Sequence, residues 1–232
     1  MADSQAPSSY LSPTYFIDSD SPEIREYAQT LCKGIPSSSI RERAVALYYG
    51  VRDDIRYDPY SMSPHREAYR ASAVLAQKTG FCIPKAVLLT ATLRAQGIPA
   101  RPGFADVRNH IATKRLLDLM EVDLFLYHGY VEIYLDHRWV KSTPAFNLSL
   151  CENFGIKPLE FDGVHDSLFH EFDVAGNRHM EYVRDHGPFE DLPFDRIFAE
   201  FRKAYPKIFA LNLDHDQFSR EAARETREKN TP

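Results

Sequence analysis

Two residues combine a reactive side chain with a placement that would let it act. Cys82 lies between Gly80-Phe81 and Pro84 in KTGFCIPKAVLLTATLRAQGIPAR, and His128 opens the run HGYVEIYL. Proline is tolerated in the first turn of a helix because the N–H it lacks has no partner there. Pro84 therefore marks a helix start and puts Cys82 at its N-terminal end. Unsatisfied amides and the macrodipole favour an anion at that point, so the thiol is expected to ionise below ~8.5. Gly80 lets the backbone turn closely enough for a carbonyl to approach. The chemistry this suits is thiolate attack on a carbonyl carbon, which needs a base within hydrogen-bond reach. Most of the other histidines fall in loops, whereas His128 begins a strand. Alternation there sets His128, Tyr130 and Glu132 on one face and Gly129, Val131 and Ile133 on the other, with Gly129 leaving room beside the imidazole. The alternative for Cys82 is packing, since a free cysteine often serves as a small hydrophobe.

Helices and strands must hold these two residues together. Ser21-Pro22 opens a helix toward Leu31, and Ser37 to Ser39 cap a second. In the latter, Ile40, Ala44, Leu47, Tyr48 and Val51 recur at helical period. Ile55 to Tyr57 reads as extended and Ala71 to Gln77 as a brief helix. The helix after Cys82 is apolar nearly all round, hence central to the core, and Gly97 with Pro99 stops it. Ala100 to Ala105 is a predicted strand and Ile111 to Met120 a predicted helix. Tyr127 to Leu135 and Arg138 to Ser142 form two β-rich runs joined by Asp136-His137, a hairpin signal. Beyond Pro144 the chain reads as irregular, with a strand around Leu168 to Phe172 and a last helix from Phe194 to Ala204. Helices followed by an antiparallel sheet predict an α+β fold.

With 44% hydrophobic residues among 232, the chain can bury one large core. A net charge of -5 gives no reason to expect nucleic acid. No apolar run nears the ~20 residues of a membrane span, and MADSQAPSSY lacks the features of a signal peptide. A cytoplasmic location is expected. Cys32, Cys82 and Cys151 are too few and too widely spaced for a disulfide framework or a zinc pattern. Residues 1–15 are expected to be a flexible N-terminus, 16–213 a single domain, and 214–232 a polar tail.

Several ordered stretches resemble the transglutaminase-like superfamily, whose core is a Cys-His-Asp site on a papain-related fold. They are VRDDIRYDPY, RASAVLAQKTGFC, KAVLLTATLRAQGIPAR and HGYVEIYLDHRWVKSTP, with Trp139 at the usual tryptophan. The resemblance covers residues 40–147. It implies N-terminal helices, then a nucleophile-bearing helix packed on an antiparallel sheet, with Cys82 as nucleophile and His128 as general base. The third member should be an aspartate in a Trp-x-x-x-Asp-Pro pattern. This sequence has WVKSTP, so Thr143 stands at that position. A threonine hydroxyl can orient the imidazole but brings no charge to it. Asn147 is a second candidate, and Glu132 is less well placed, about 7 Å along the strand. Oxyanion donors would be the Cys82 amide and Tyr57.

The expected activity is acyl transfer from a peptide or small amide or thioester through an acyl-enzyme, with no cofactor, no nucleic acid and no membrane. A non-catalytic peptide- or protein-binding module is the alternative. Asp106, Arg108 and Asn109, just past a core strand in GFADVRNH, could bind substrate, or Asp106 could pair with Arg101 or Arg108. A metal site in DGVHDSLFHEFD (Asp162, His165, Asp166, His170, Asp173) lacks helical ligand spacing, so no metal is expected. The region beyond Cys151 is expected to cover the domain and shape specificity.

Overall fold

One nearly fully buried helix organises the molecule. A computed structural model describes residues 8–109, 112–168, 180–210 and 217–229. In chain order its helices and strands begin with α1 (Pro22–Leu31), α2 (Ile40–Asp54), β1 (Arg56–Tyr57), α3 (Ala71–Gln77) and β2 (Thr79–Gly80). α4 (Cys82–Ala95), β3 (Ala100–Asn109), α5 (Lys114–Met120), β4 (Leu124–Leu135), β5 (Arg138–Ser142) and α6 (Leu148–Phe154) follow. β6 (Met180–Pro188), α7 (Phe194–Ala204), α8 (Pro206–Ala210) and α9 (Gln217–Lys229) complete it. Four strands make an antiparallel sheet in the order β5-β4-β3-β6, and α4 packs between it and α1–α3. This is the expected α+β arrangement.

α4 is buried from Cys82 through Arg94, so its polar side chains must be satisfied internally. Thr90 and Thr92 donate to the carbonyls of Ala86 (2.8 Å) and Leu89 (2.9 Å) on their own helix. Arg94 collects the carbonyls of Ser12, Ala100 and Glu190 at 2.7–2.9 Å, tying three distant segments to the helix. Lys85, with no exposed surface, donates to the carbonyls of Arg52 (2.8 Å) and Ile55 and so caps the C-terminal end of α2.

The β4–β5 hairpin follows from its turn. Leu135 pairs with Arg138, and the two residues between them, Asp136 and His137, both have positive φ (47° and 63°). That backbone matches the twist of the flanking strands, and Asp tolerates it better than most residues.

The structure departs from the expected element bounds at several places. β3 runs past its expected end at Ala105 to Asn109, and β4 begins at Leu124, three residues earlier than expected. β6 lies in a region read as irregular, because Met180–Pro188 is an edge strand with Tyr182 and Val183 half exposed and so lacks clear alternation. Of the strand expected around Leu168 to Phe172, only Leu168 is described, and it lies in no element; the rest falls outside the described residues. The termini also pack. Tyr10 meets Trp139 edge-on at 5.4 Å and receives an Arg101 hydrogen bond at 3.1 Å. In α9, Phe218 and Ala222 are buried against the domain. Glu221 of α9 accepts from Tyr60 (2.8 Å) and from Arg115 of α5 (3.1 Å), and is itself buried.

Candidate active site

Three local devices bring Cys82 to the sheet. β1 and β2 pair in parallel, Tyr57 opposite Gly80, which fixes the chain two residues before the nucleophile beside Tyr57. Asn147 reinforces this by accepting the Tyr57 amide at 2.9 Å. On the sheet side Gly129 presses on the helix start: a Cβ there would sit 2.9 Å from the Cys82 carbonyl oxygen and 3.1 Å from Ile83 Cα. Only glycine permits that approach.

The sulfur therefore sits at the junction of helix and strand. The backbone amides of Gly129, Ile83 and Cys82 itself lie close enough to the sulfur to favour its thiolate. Gly129 follows His128 directly, and Cys82 and His128 both line one cavity, together with Tyr57 and Phe81. The pocket has a cavity volume of about 40 Å³ and opens to solvent. Burial is the largest influence on the thiol and pushes its pKa up to about 11, with the three amides opposing it. The expectation of a lowered pKa is thus corrected. The helix terminus does favour the anion, but desolvation of a residue only 8% exposed outweighs it. Burial likewise raises the Tyr57 phenol well above its usual range, with the nearby Cys82 adding to the effect.

His128 is held by an irregularity in the sheet. Ala105 pairs with His128 but Val107 pairs with Phe125, so β4 carries one extra residue, and Tyr127 takes a positive φ of 51°. Asp106 stabilises this bulge. Its Oδ1 accepts the Tyr127 amide at 2.9 Å and meets His186 Nε2 at 2.8 Å. The His186 ring stacks on Tyr127 at 4.1 Å. His186 was not singled out from sequence, because it lies in β6, the strand that reasoning missed.

Of the candidate third members, Asn147 and Glu132 have polar partners elsewhere. The Thr143 hydroxyl is buried and makes no hydrogen bond among the described residues. Asn147 spends its carbonyl on Tyr57 and gives its amide to Ser149 at 2.8 Å. Glu132 is paired with Arg101 at 2.6 Å. Asp106 and Asn109, expected at the substrate, do not line the cavity. Asp106 points its carboxylate into the sheet, where it pairs with His186 instead of Arg101 or Arg108, and Asn109 is buried at the end of β3. Arg108 is held by Asp123 at 2.9 Å.

A family model described as the transglutaminase-like superfamily matches residues 7–144, more than half of the chain. The chain belongs to the transglutaminase-like superfamily. Among solved structures, this transglutaminase-like chain resembles a candidate cysteine protease from Cytophaga hutchinsonii at 19% identity and a TM-score of 0.44. That match covers 77% of this chain and 53% of the other. Red sea bream transglutaminase is similar at 14% identity and a TM-score of 0.36, over 87% of this chain and 41% of that one. The chain thus spans about half the length of the first protein and less of the second. The search of curated proteins gave no match.

No group of three or more metal-binding side chains occurs among the described residues of this transglutaminase-like chain. Asp162 and His165 pair with each other at 2.7 Å on the surface, while His170 and Asp173 lie outside the described residues. No helix among the described residues is long and apolar enough to cross a membrane.

Proposed function

We propose that this transglutaminase-like domain is a cysteine-dependent acyl-transfer enzyme, a peptidase, amidase or acyltransferase acting on amide or thioester carbonyls. The observation that carries the reading is the meeting of Cys82 and His128 in the lining of one cavity.

Because burial keeps the thiol neutral, attack and proton transfer must be coupled. His128 takes the Sγ proton as the sulfur bonds to the substrate carbonyl carbon. The carbonyl oxygen becomes an oxyanion, for which the Cys82 amide and the neutral Tyr57 phenol are the candidate donors. Collapse breaks the bond to the leaving amine or thiol, which takes the proton from His128. Water or an amine then attacks the thioester carbon as His128 accepts its proton. Collapse breaks the C–S bond, and the departing sulfur takes that proton back, releasing the acid or the new amide. Thr143 and Asn147 remain candidates to orient the imidazole, through rearrangement on substrate binding. Residues beyond Cys151 act as a covering extension that shapes the pocket.

A second reading, a non-catalytic peptide- or protein-binding module, is favoured by Thr143 at the aspartate position and by the high thiol pKa. Intact-mass spectrometry with a panel of activated esters and amides separates the two. An adduct on wild type that is lost in Cys82→Ala and slowed in His128→Ala supports the enzyme. No adduct with any donor would leave the binding module.

A further inference from the structure

The cavity beside the nucleophile carries information about what it accepts. Besides Cys82 and His128, its lining contains no Asp, Glu, Lys, Arg or second histidine. Leu116 and Met120 come from α5, Phe125 and Leu126 from the start of β4, and Phe201 and Ile208 from α7 and α8. Tyr205, the polar side chain on that side, is already committed: its hydroxyl accepts the Leu126 amide and donates to the Leu124 carbonyl, both at 2.7 Å. It therefore offers a bound polar group little. The two apolar walls are also fixed to each other, since Lys207 of α8 pairs with Glu121, just past α5, at 2.7 Å.

A charged or amide-bearing group in such a pocket would lose its hydration without a replacement partner. A hydrocarbon of matching size gains by leaving water. Resting on the proposed acyl-transfer reading, we infer that the pocket is an acyl site selective for uncharged hydrocarbon acyl groups, medium-length aliphatic or aromatic. The donor carbonyl sits at Cys82 and the chain points toward α5 and α8. Carboxylate-bearing acyl groups and carboxamide side chains are disfavoured.

The test has two arms. In the first, wild-type protein is treated with p-nitrophenyl acetate, butyrate, hexanoate, benzoate and succinate monoester, and Cys82 acylation is followed by intact mass. The expected rate rises about fourfold per methylene from acetyl to hexanoyl, with succinyl slower than butyryl. A flat series, or a preference for succinyl, overturns the inference. Met120→Trp, which narrows the pocket, should lower the ratio of hexanoyl to acetyl rates, and an unchanged ratio overturns the inference. In the second arm, Cys82→Ser is titrated with unreactive acetamide, hexanamide and succinamate by ligand-observed NMR. Tighter hexanamide binding without any Cys82 adduct in the first arm keeps the hydrocarbon site and removes the catalytic reading. Absence of chain-length dependence in binding removes the site whether or not an adduct forms.

Discussion

Gly129 and Cys82 meet backbone to backbone: the space a Cβ would need at 129 is filled by the Cys82 carbonyl, 2.9 Å away. The obstructing atoms are main chain on both Cys82 and Ile83, so no side-chain rotation can relieve them. Gly129→Ala should cost about 1–3 kcal/mol in urea unfolding and displace the start of α4 from the strand. Acylation of Cys82 should fall with it, by about tenfold or more, because the sulfur loses its distance to His128. Unchanged stability and rate would show that the helix and strand have slack at this point.

The Cys82 thiol, raised to about 11 by burial, should be a slow nucleophile near neutrality and a faster one in base. Site-resolved alkylation by iodoacetamide is expected to accelerate roughly tenfold per pH unit between 7 and 10, following the thiolate fraction. A plateau already reached below pH 8 would mean that the sulfur and His128 rest as an ion pair, against this expectation.

Asp106 and His186 should act through His128 and not on substrate. Asp106→Ala frees the Tyr127 amide at the bulge and leaves His186 without its acceptor, which should cost about 2–3 kcal/mol. Asp106→Asn retains an oxygen for both donors and should restore most of the stability. If the bulge positions the imidazole, kcat should fall with Ala and recover with Asn while KM stays nearly constant. A change in KM alone would return Asp106 to a substrate-binding role.

Lys85 provides a stability test with a definite sign. Burial lowers its pKa from 10.5 to about 7, so between those values the unfolded chain holds a proton that the folded chain lacks. Stability from this group is therefore fully present above 10.5 and lost as pH falls toward 7. Compared with Lys85→Met, wild type should gain stability from pH 7 to 8.5, by at most roughly 2 kcal/mol. The substitution also strips the Arg52 and Ile55 carbonyls of their donor, costing about 1–3 kcal/mol at any pH. Parallel stability–pH curves for the two proteins would place a charged amine at Lys85 across that range.

Thr143→Asp would restore the acid that the superfamily pattern carries after Trp139. The site is 1% exposed, so an unpaired carboxylate there should lower stability by about 1–3 kcal/mol. If the carboxylate reaches the imidazole, acylation should speed up by about tenfold or more, and the pH at half-maximal rate should drop. Lost stability with no change in rate would mean that residue 143 does not face the ring.

What the sequence disclosed depended on how locally each feature is encoded. α4 was legible because Pro84 starts it, Gly97 and Pro99 stop it, and its apolar body admits no other placement. The hairpin at Asp136-His137 was legible because the turn residues lie between two alternating runs. β6 was not, since an edge strand rich in charge looks like a loop and owes its shape to pairing with β3. The same blindness hid His186 and gave Asp106 a role at the substrate, because the pair exists only across strands about eighty residues apart. The thiol pKa was misjudged for a related reason. A helix start can be read from one proline, whereas desolvation depends on everything that folds over the sulfur.

Glu221 joins Tyr60, beyond the β1 segment, to Arg115 on α5, yet it meets neither the thiol nor the hollow beside it. The gap between those two flanks is thus bridged from behind by the Glu221 carboxylate of α9, with Glu225 of the same helix holding the start of α5. Drift at position 221 could retune the width of the opening while every residue in contact with the occupant stayed the same. Selectivity in this architecture could then diverge among relatives whose reactive centres look identical.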